Sequence, residues 1–131
     1  LPLLIKHYDE IAFYRHIELK PDFEVYLKSQ EMGLLRVYTA RLDGKIIAYS
    51  VYFVRSHIHY GGSIQAISDI LYIHPDHRGF GNKLLAWCDN MLHNEGVEIV
   101  NMFVPVKRDF GGLLMSLGYE KMETIYTRRL K

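Results

Sequence analysis

Apolar positions along the chain change period several times, from about 3.6 residues to about two and back, and the changes mark out a succession of helices and strands. In residues 3 to 14, LLIKHYDEIAFY, the side chains of Leu4, Ile5, Tyr8, Ile11 and Phe13 lie close to one helical stripe with charges opposite, which predicts a helix. A second helix is expected from Pro21 to about Met32. Proline stands in its first turn, Asp22 and Glu24 lie near its positive end, and Gly33 stops it. Residues 34 to 42 are rich in β-branched and aromatic side chains, and Asp43-Gly44 then supplies a two-residue hairpin turn.

The return strand, IIAYSVYFV at 46 to 54, is apolar at nearly every position, the pattern of a central strand buried on both faces. Gly61-Gly62-Ser63 breaks the pattern before a further strand from Ala66 to His74. Leu84, Leu85, Cys88, Met91 and Leu92 then fall on one face of a helix that Gly96 ends. A strand VEIVNMFVPV, a short helix DFGGLLMSLG and a closing strand YEKMETIYTRRL complete the reading. Strand, helix, strand over 66 to 106 is a crossover that makes a parallel pair, and the hairpins around it make the sheet mixed. The fold class is therefore α/β: one domain over residues 1 to 131, with a mixed, mostly antiparallel twisted sheet and helices on both faces.

Chemistry concentrates at "YIHPDHRGFGNKLLAWC", residues 72 to 88, where a strand passes through a glycine loop into the longest helix. A helix start has unpaired N–H groups and a partial positive charge, so it attracts anions. Gly79 and Gly81 let the main chain approach a ligand, and Arg78 and Lys83 add charge. A pyrophosphate suits such a loop. The dinucleotide fingerprint and the P-loop both fail here, because Gly79-Phe80-Gly81 is followed by Asn82, Lys83 and Leu84. By these motifs alone a plain strand-to-helix turn remains open.

The run DILYIHPDHRGFG with GNKLL and its amphipathic helix resembles motif A of the GCN5-related N-acetyltransferase (GNAT) family, in which a strand leads into an R-x-x-G-x-G/A loop. FGGLLMSLGYEKM is similar to the family's closing helix and its LGF/LGY strand entry, and the element order agrees over residues 21 to 131. One departure is visible. Matching Gly81 to the last motif glycine keeps the helix in phase only if two residues are missing after Phe80.

The resemblance implies acetyl-CoA as cosubstrate, with its pyrophosphate on the loop Arg78, Gly79, Phe80, Gly81, Asn82 and Lys83. Its pantetheine arm would lie along the backbone of Leu71, Tyr72 and Ile73, where that strand splays from its neighbour. A backbone N–H near Tyr72 or Ile73 would polarise the acetyl carbonyl, and an amine would attack it directly. A primary amine is mostly protonated at pH 7, so a base is needed, and Asp69 occupies the position of an acidic residue that serves some members. In a regular strand Asp69, Leu71 and Ile73 share a face. The family's general-acid tyrosine position holds Leu114, its upstream asparagine position holds Lys107, and Tyr72 and Tyr126 are the substitutes considered.

Composition narrows the surroundings. Sixteen basic and fifteen acidic residues leave a net charge of +1, which argues against nucleic-acid binding by bulk charge. No run of about 18 apolar residues exists, so no membrane partner is expected, and the N-terminal LPLLI is too short for a signal sequence. The single cysteine, Cys88, excludes an internal disulfide, agrees with a cytoplasmic setting and reads as a small buried hydrophobe. His57 and His59 share a strand face with no carboxylate or cysteine cluster beside them, so no metal is expected. His74 and His77 flank the loop as polar turn residues, and Tyr8, Tyr14, Tyr26 and Tyr38 are candidates to line an acceptor groove.

The expectation is an acetyl-CoA-dependent N-acetyltransferase for a small-molecule or protein amine, with a homodimer left open. Its alternatives are a non-catalytic CoA-binding or protein-interaction module, and a nucleotide-binding domain of another α/β class.

Overall fold

The computed structural model describes residues 23 to 131, so the helix expected over 3 to 14 lies outside the described residues. The first described helix, α1 (Phe23–Glu31), ends where Gly33 takes φ +74° and the Gly33 and Leu34 amides donate to the carbonyls of Gln30 and Ser29. Strands β1 (Leu35–Leu42) and β2 (Lys45–Ser56) follow as a hairpin. Asp43 and Gly44 both have positive φ, 52° and 77°, and such a turn twists with the strands it joins.

Strand β3 (Ile64–Ile73) returns antiparallel to β2. A 3₁₀ turn (Pro75–Phe80) leads directly into α2 (Gly81–Asn94), and β4 (Ile99–Asn101) then pairs parallel to β3. The sheet order is β1-β2-β3-β4, with β2 inside it as the apolar run over 46 to 54 requires. A second 3₁₀ turn (Val106–Arg108) and the short helix α3 (Gly111–Ser116) come last.

One sheet face meets α2. Ala48, Tyr52 and Val54 of β2 and Ala66 of β3 pack with Leu84, Cys88 and Leu92 of that helix and with Val97. A fully buried leucine such as Leu92 stabilises the fold by roughly 1.5–3 kcal/mol through removal of its apolar surface from water. Gly96, at φ +90°, stops the helix, and its amide donates to the His93 carbonyl. Among the described residues no helix is long and apolar enough to cross a membrane.

Two strand expectations are corrected. Only Ile99–Asn101 of the segment 97 to 106 pairs as strand, because the Phe103 amide turns to the Ser68 hydroxyl and Pro105 has no N–H to give a ladder. The closing strand over 119 to 130 does not form. Its apolar side chains, Met122, Ile125, Tyr126 and Leu130, are all exposed, so no buried face favours pairing over solvation by water.

Candidate active site

A break in register sets the site. Tyr52 faces Ser68 and Val51 faces Ile70, so Asp69 is an extra residue on β3, a bulge. A bulge re-aims the side chain it carries. The Tyr26 hydroxyl donates to Asp69 Oδ2 at 2.5 Å, and the Tyr26 ring stacks on Phe53 with centroids 6.1 Å apart. Phe53 alternates with Tyr52 and Val54, so it points away from α2, and Asp69 belongs to that α1 side. Leu71 and Ile73 pack with the α2 core. The expectation that Asp69 shares their face is therefore corrected: the extra residue shifts the alternation by one.

Tyr72 and its cross-strand partner Tyr49 lie on the same side as Phe53, their rings 5.7 Å apart. Burial, with a smaller contribution from Tyr72, pushes the Tyr49 hydroxyl up to about 12. Burial, then the hydrogen bond to Asp69, raises the Tyr26 hydroxyl as well. Both phenols keep their protons at neutral pH, and that of Tyr26 is spent on Asp69. Asp69 thus stands in a tyrosine-lined surface and is itself exposed.

Beside that surface the sheet opens. The β3–β4 ladder runs through Gln65↔Ile99, Ala66↔Val100 and Ile67↔Asn101 and stops there. Residues Leu71, Tyr72 and Ile73 lie beyond its end, so the strand edge toward the diverging segment carries no β4 ladder.

The loop is more ordered than an open nest. His74 Nδ1 accepts from the Asp76 amide at 3.2 Å, the Gly81 amide donates to the Arg78 carbonyl, and Arg78 Nε donates to the Ile73 carbonyl at 2.6 Å. Arg78 therefore ties the loop to the end of β3. A Cβ at Gly81 would meet Ile73 Cδ1 at 3.1 Å and Leu113 Cδ2 at 3.2 Å, whereas a Cβ at Gly79 meets nothing within 4 Å. The freedom for close approach of a ligand belongs to Gly79. At Gly81 the missing side chain serves helix-to-strand packing. Phe80 packs against the core, while Asn82 and Lys83 are exposed in the first turn of α2.

Other candidates separate cleanly. Leu114 is 5 % exposed and part of the core, Lys107 lies in the exposed second 3₁₀ turn, and Tyr126 is 92 % exposed. Tyr38 packs edge-on against Trp87 and Tyr52 in the α2 layer, so it does not line the Asp69 side. Tyr8 and Tyr14 lie outside the described residues. Among the described residues no group of three or more histidine, cysteine or acidic side chains is placed to hold a metal. Sequence reasoning missed Tyr49, whose place follows only from the cross-strand register, and it missed the bulge, which no local pattern signals.

No protein-family model and no curated protein sequence matches the chain. Solved structures do. A ribosomal-protein-alanine N-acetyltransferase from Brucella melitensis biovar Abortus is 18 % identical, with 98 % of this chain and 89 % of that one covered and a TM-score of 0.69. An aminoglycoside acetyltransferase from an uncultured soil metagenomic sample is 18 % identical over 99 % of this chain and 88 % of its own, with a TM-score of 0.72. A glucosamine-6-phosphate N-acetyltransferase from Arabidopsis thaliana is 11 % identical over 83 % of this chain and 76 % of that one, at 0.68. By these likenesses, which run over most of its length, the chain has the fold of the GCN5-related N-acetyltransferases.

Proposed function

We propose that the protein transfers an acetyl group from acetyl-CoA to a primary amine by direct attack. The observation that carries this reading is the juxtaposition of the β3–β4 opening with Asp69, turned out at a bulge and held by Tyr26. The residues present fit the cosubstrate: an unladdered edge at Leu71, Tyr72 and Ile73, an open Gly79, and an exposed Lys83 on the turn that starts α2. Arg78, Phe80, Gly81 and Asn82 shape the loop that would receive the pyrophosphate. When bound, acetyl-CoA supplies the thioester carbonyl that the amine attacks.

The chain's own part is to move and to place protons. Asp69 takes the proton from the attacking nitrogen as the new C–N bond forms and the C–S bond breaks, and the sulfur leaves as thiolate. Tyr72, beside Tyr49, serves as a hydrogen-bond donor near the reacting group. The neighbouring Tyr49 phenol, pushed up to about 12 by burial, holds its proton too tightly to protonate a thiolate of ordinary pKa about 8.5. A backbone N–H near Tyr72 or Ile73 polarises the carbonyl.

Calorimetry with acetyl-CoA, followed by thiol release against a panel of amines, tests the proposal. Turnover is expected, and Asp69→Asn should lower kcat by about 10²-fold or more, the usual range of a positioned base, with binding of acetyl-CoA unchanged. Tyr26→Phe should have a smaller effect in the same direction. Binding without turnover would favour the second reading, a non-catalytic CoA-binding module, for which the buried Leu114 at the family's tyrosine position is the supporting observation.

A further inference from the structure

Resting on the acetyltransferase reading, we infer that the cleft between Arg55, His57 and Gln65 is an anion-binding subsite for the acceptor, which selects amines that carry a carboxylate or phosphate at a distance from the nitrogen. The cleft, of about 180 Å³, is lined by Arg55, His57, Ile58, His59, Gln65 and Ile67. Pockets for whole drug-sized ligands run from roughly 300 Å³, so this one suits one end of a molecule.

Its position links it to Asp69. Phe53 pairs with Ile67 and Arg55 with Gln65 on the rungs that follow the bulge, and both rungs alternate away from the α2 core. The Tyr26 ring covers Phe53. One strip of the sheet therefore runs from Asp69 over Phe53 and Ile67 to Arg55 and Gln65. Asp69 lies four residue steps from Gln65 along β3, about 13 Å at the usual strand rise.

The lining is built of donors. The Arg55 guanidinium makes no hydrogen bond or ion pair within the described residues, whereas that of Arg36 is held by Glu95 and that of Arg78 by the Ile73 carbonyl. The His59 amide donates to His57 Nδ1 at 3.0 Å, which places the hydrogen of neutral His57 on Nε2 as a further donor. Gln65, 5 % exposed, accepts at Oε1 from Asn101 Nδ2 at 3.1 Å and donates one amide hydrogen to Ser63 Oγ at 3.4 Å, which leaves its second amide hydrogen as a donor.

The wall is also fixed in place. The His57 amide donates to the Ser63 carbonyl and the Ser63 amide to the Tyr60 carbonyl, while the His57 ring lies 5.4 Å from that of His59 and 5.0 Å from that of Tyr60. None of the six lining residues is acidic. A guanidinium with no side-chain partner among the described residues, beside imidazole and amide donors and with no carboxylate in the lining, favours an anion, and Ile58 and Ile67 add apolar contact for the chain that bears it.

The test uses ω-aminoalkanoates of graded length and their carboxamide counterparts as acceptors for the full chain, with thiol release as one readout. The histidine ring NMR signals, observed on titration with the N-acetylated acids, are the second. The acids of matching length should be preferred by roughly tenfold or more in KM, the worth of one charge-assisted hydrogen bond, at similar kcat. Arg55→Gln should remove that preference and Arg55→Lys should keep part of it, while turnover of the carboxamides is unaltered. Equal use of acids and carboxamides in a working enzyme would overturn the subsite. Histidine shifts by the acids with no amine acetylated would leave the anion site standing and remove the transferase reading instead.

Discussion

Cys88 and Asp89 are neighbours in α2 and show how far environment separates two ordinary side chains. Cys88 is fully buried, and burial pushes its thiol up to about 12. It should therefore resist iodoacetamide at pH 8 in the native protein and react promptly in denaturant; mass spectrometry after a timed quench reads the difference, and fast native labelling would contradict the packing described. Burial also raises the Asp89 carboxyl, opposed by the hydrogen bond it accepts from the Tyr119 hydroxyl at 2.7 Å. A carboxyl whose folded pKa is raised binds its proton more tightly in the native state. Its contribution to stability is thus present below the ordinary carboxylate range and is lost as pH rises through that range to the raised value. Asp89→Asn does not titrate, so the Tm of the variant minus that of the parent should grow as pH rises from the ordinary carboxylate range; a difference flat with pH would show that Asp89 is not perturbed.

At the scale of elements, the junction between the loop and α2 separates two glycines that look alike in sequence. Gly81→Leu places a branched side chain against Ile73 and Leu113, and overpacking of this kind costs typically about 1–3 kcal/mol. Thermal denaturation should show a clear fall in Tm for Gly81→Leu and little change for Gly79→Ala. Equal effects at the two positions would mean that Gly81 is not packed as described. Most elements were legible beforehand for physical reasons that are local. The apolar face of Leu84, Leu85, Cys88 and Leu92, the helix stops at Gly33 and Gly96, and the Asp43-Gly44 turn each depend on residues within a few positions of one another. The end strands were not legible. The YEKMETIYTRRL segment has strand-like residues, but pairing depends on a partner and a buried face, which are properties of the assembled sheet.

For the whole molecule, the site was half legible. The glycine loop and Asp69 were marked in the sequence by their resemblance to a known motif, but the face to which Asp69 turns was not, since alternation along β3 holds only until a residue is inserted. Tyr26 and Asp69 are 43 residues apart and meet only because α1 and β3 occupy neighbouring places on one side of the sheet. The strip from Asp69 to Arg55 is hidden as well, because it crosses from β3 to β2 and depends on their register. The divergence of β4 after Asn101 likewise depends on a contact between distant parts of the chain, the Phe103 amide on the Ser68 hydroxyl, that no segment alone contains.

The unmatched residue between Ser68 and Ile70 has one more effect. With it in place, Ala66 on one side and Leu71 and Ile73 on the other both feed the same helix-covered layer, although they stand an odd number of positions apart. If β3 slid along β2 by one position, both halves would turn the wrong side chains inward; if it slid by two, the kink would confront a stretch shaped for a straight ladder. The insertion works as an indexing pin, and it fixes the reach between the acidic group and the arginine-lined cleft as a property of the backbone rather than of flexible side chains.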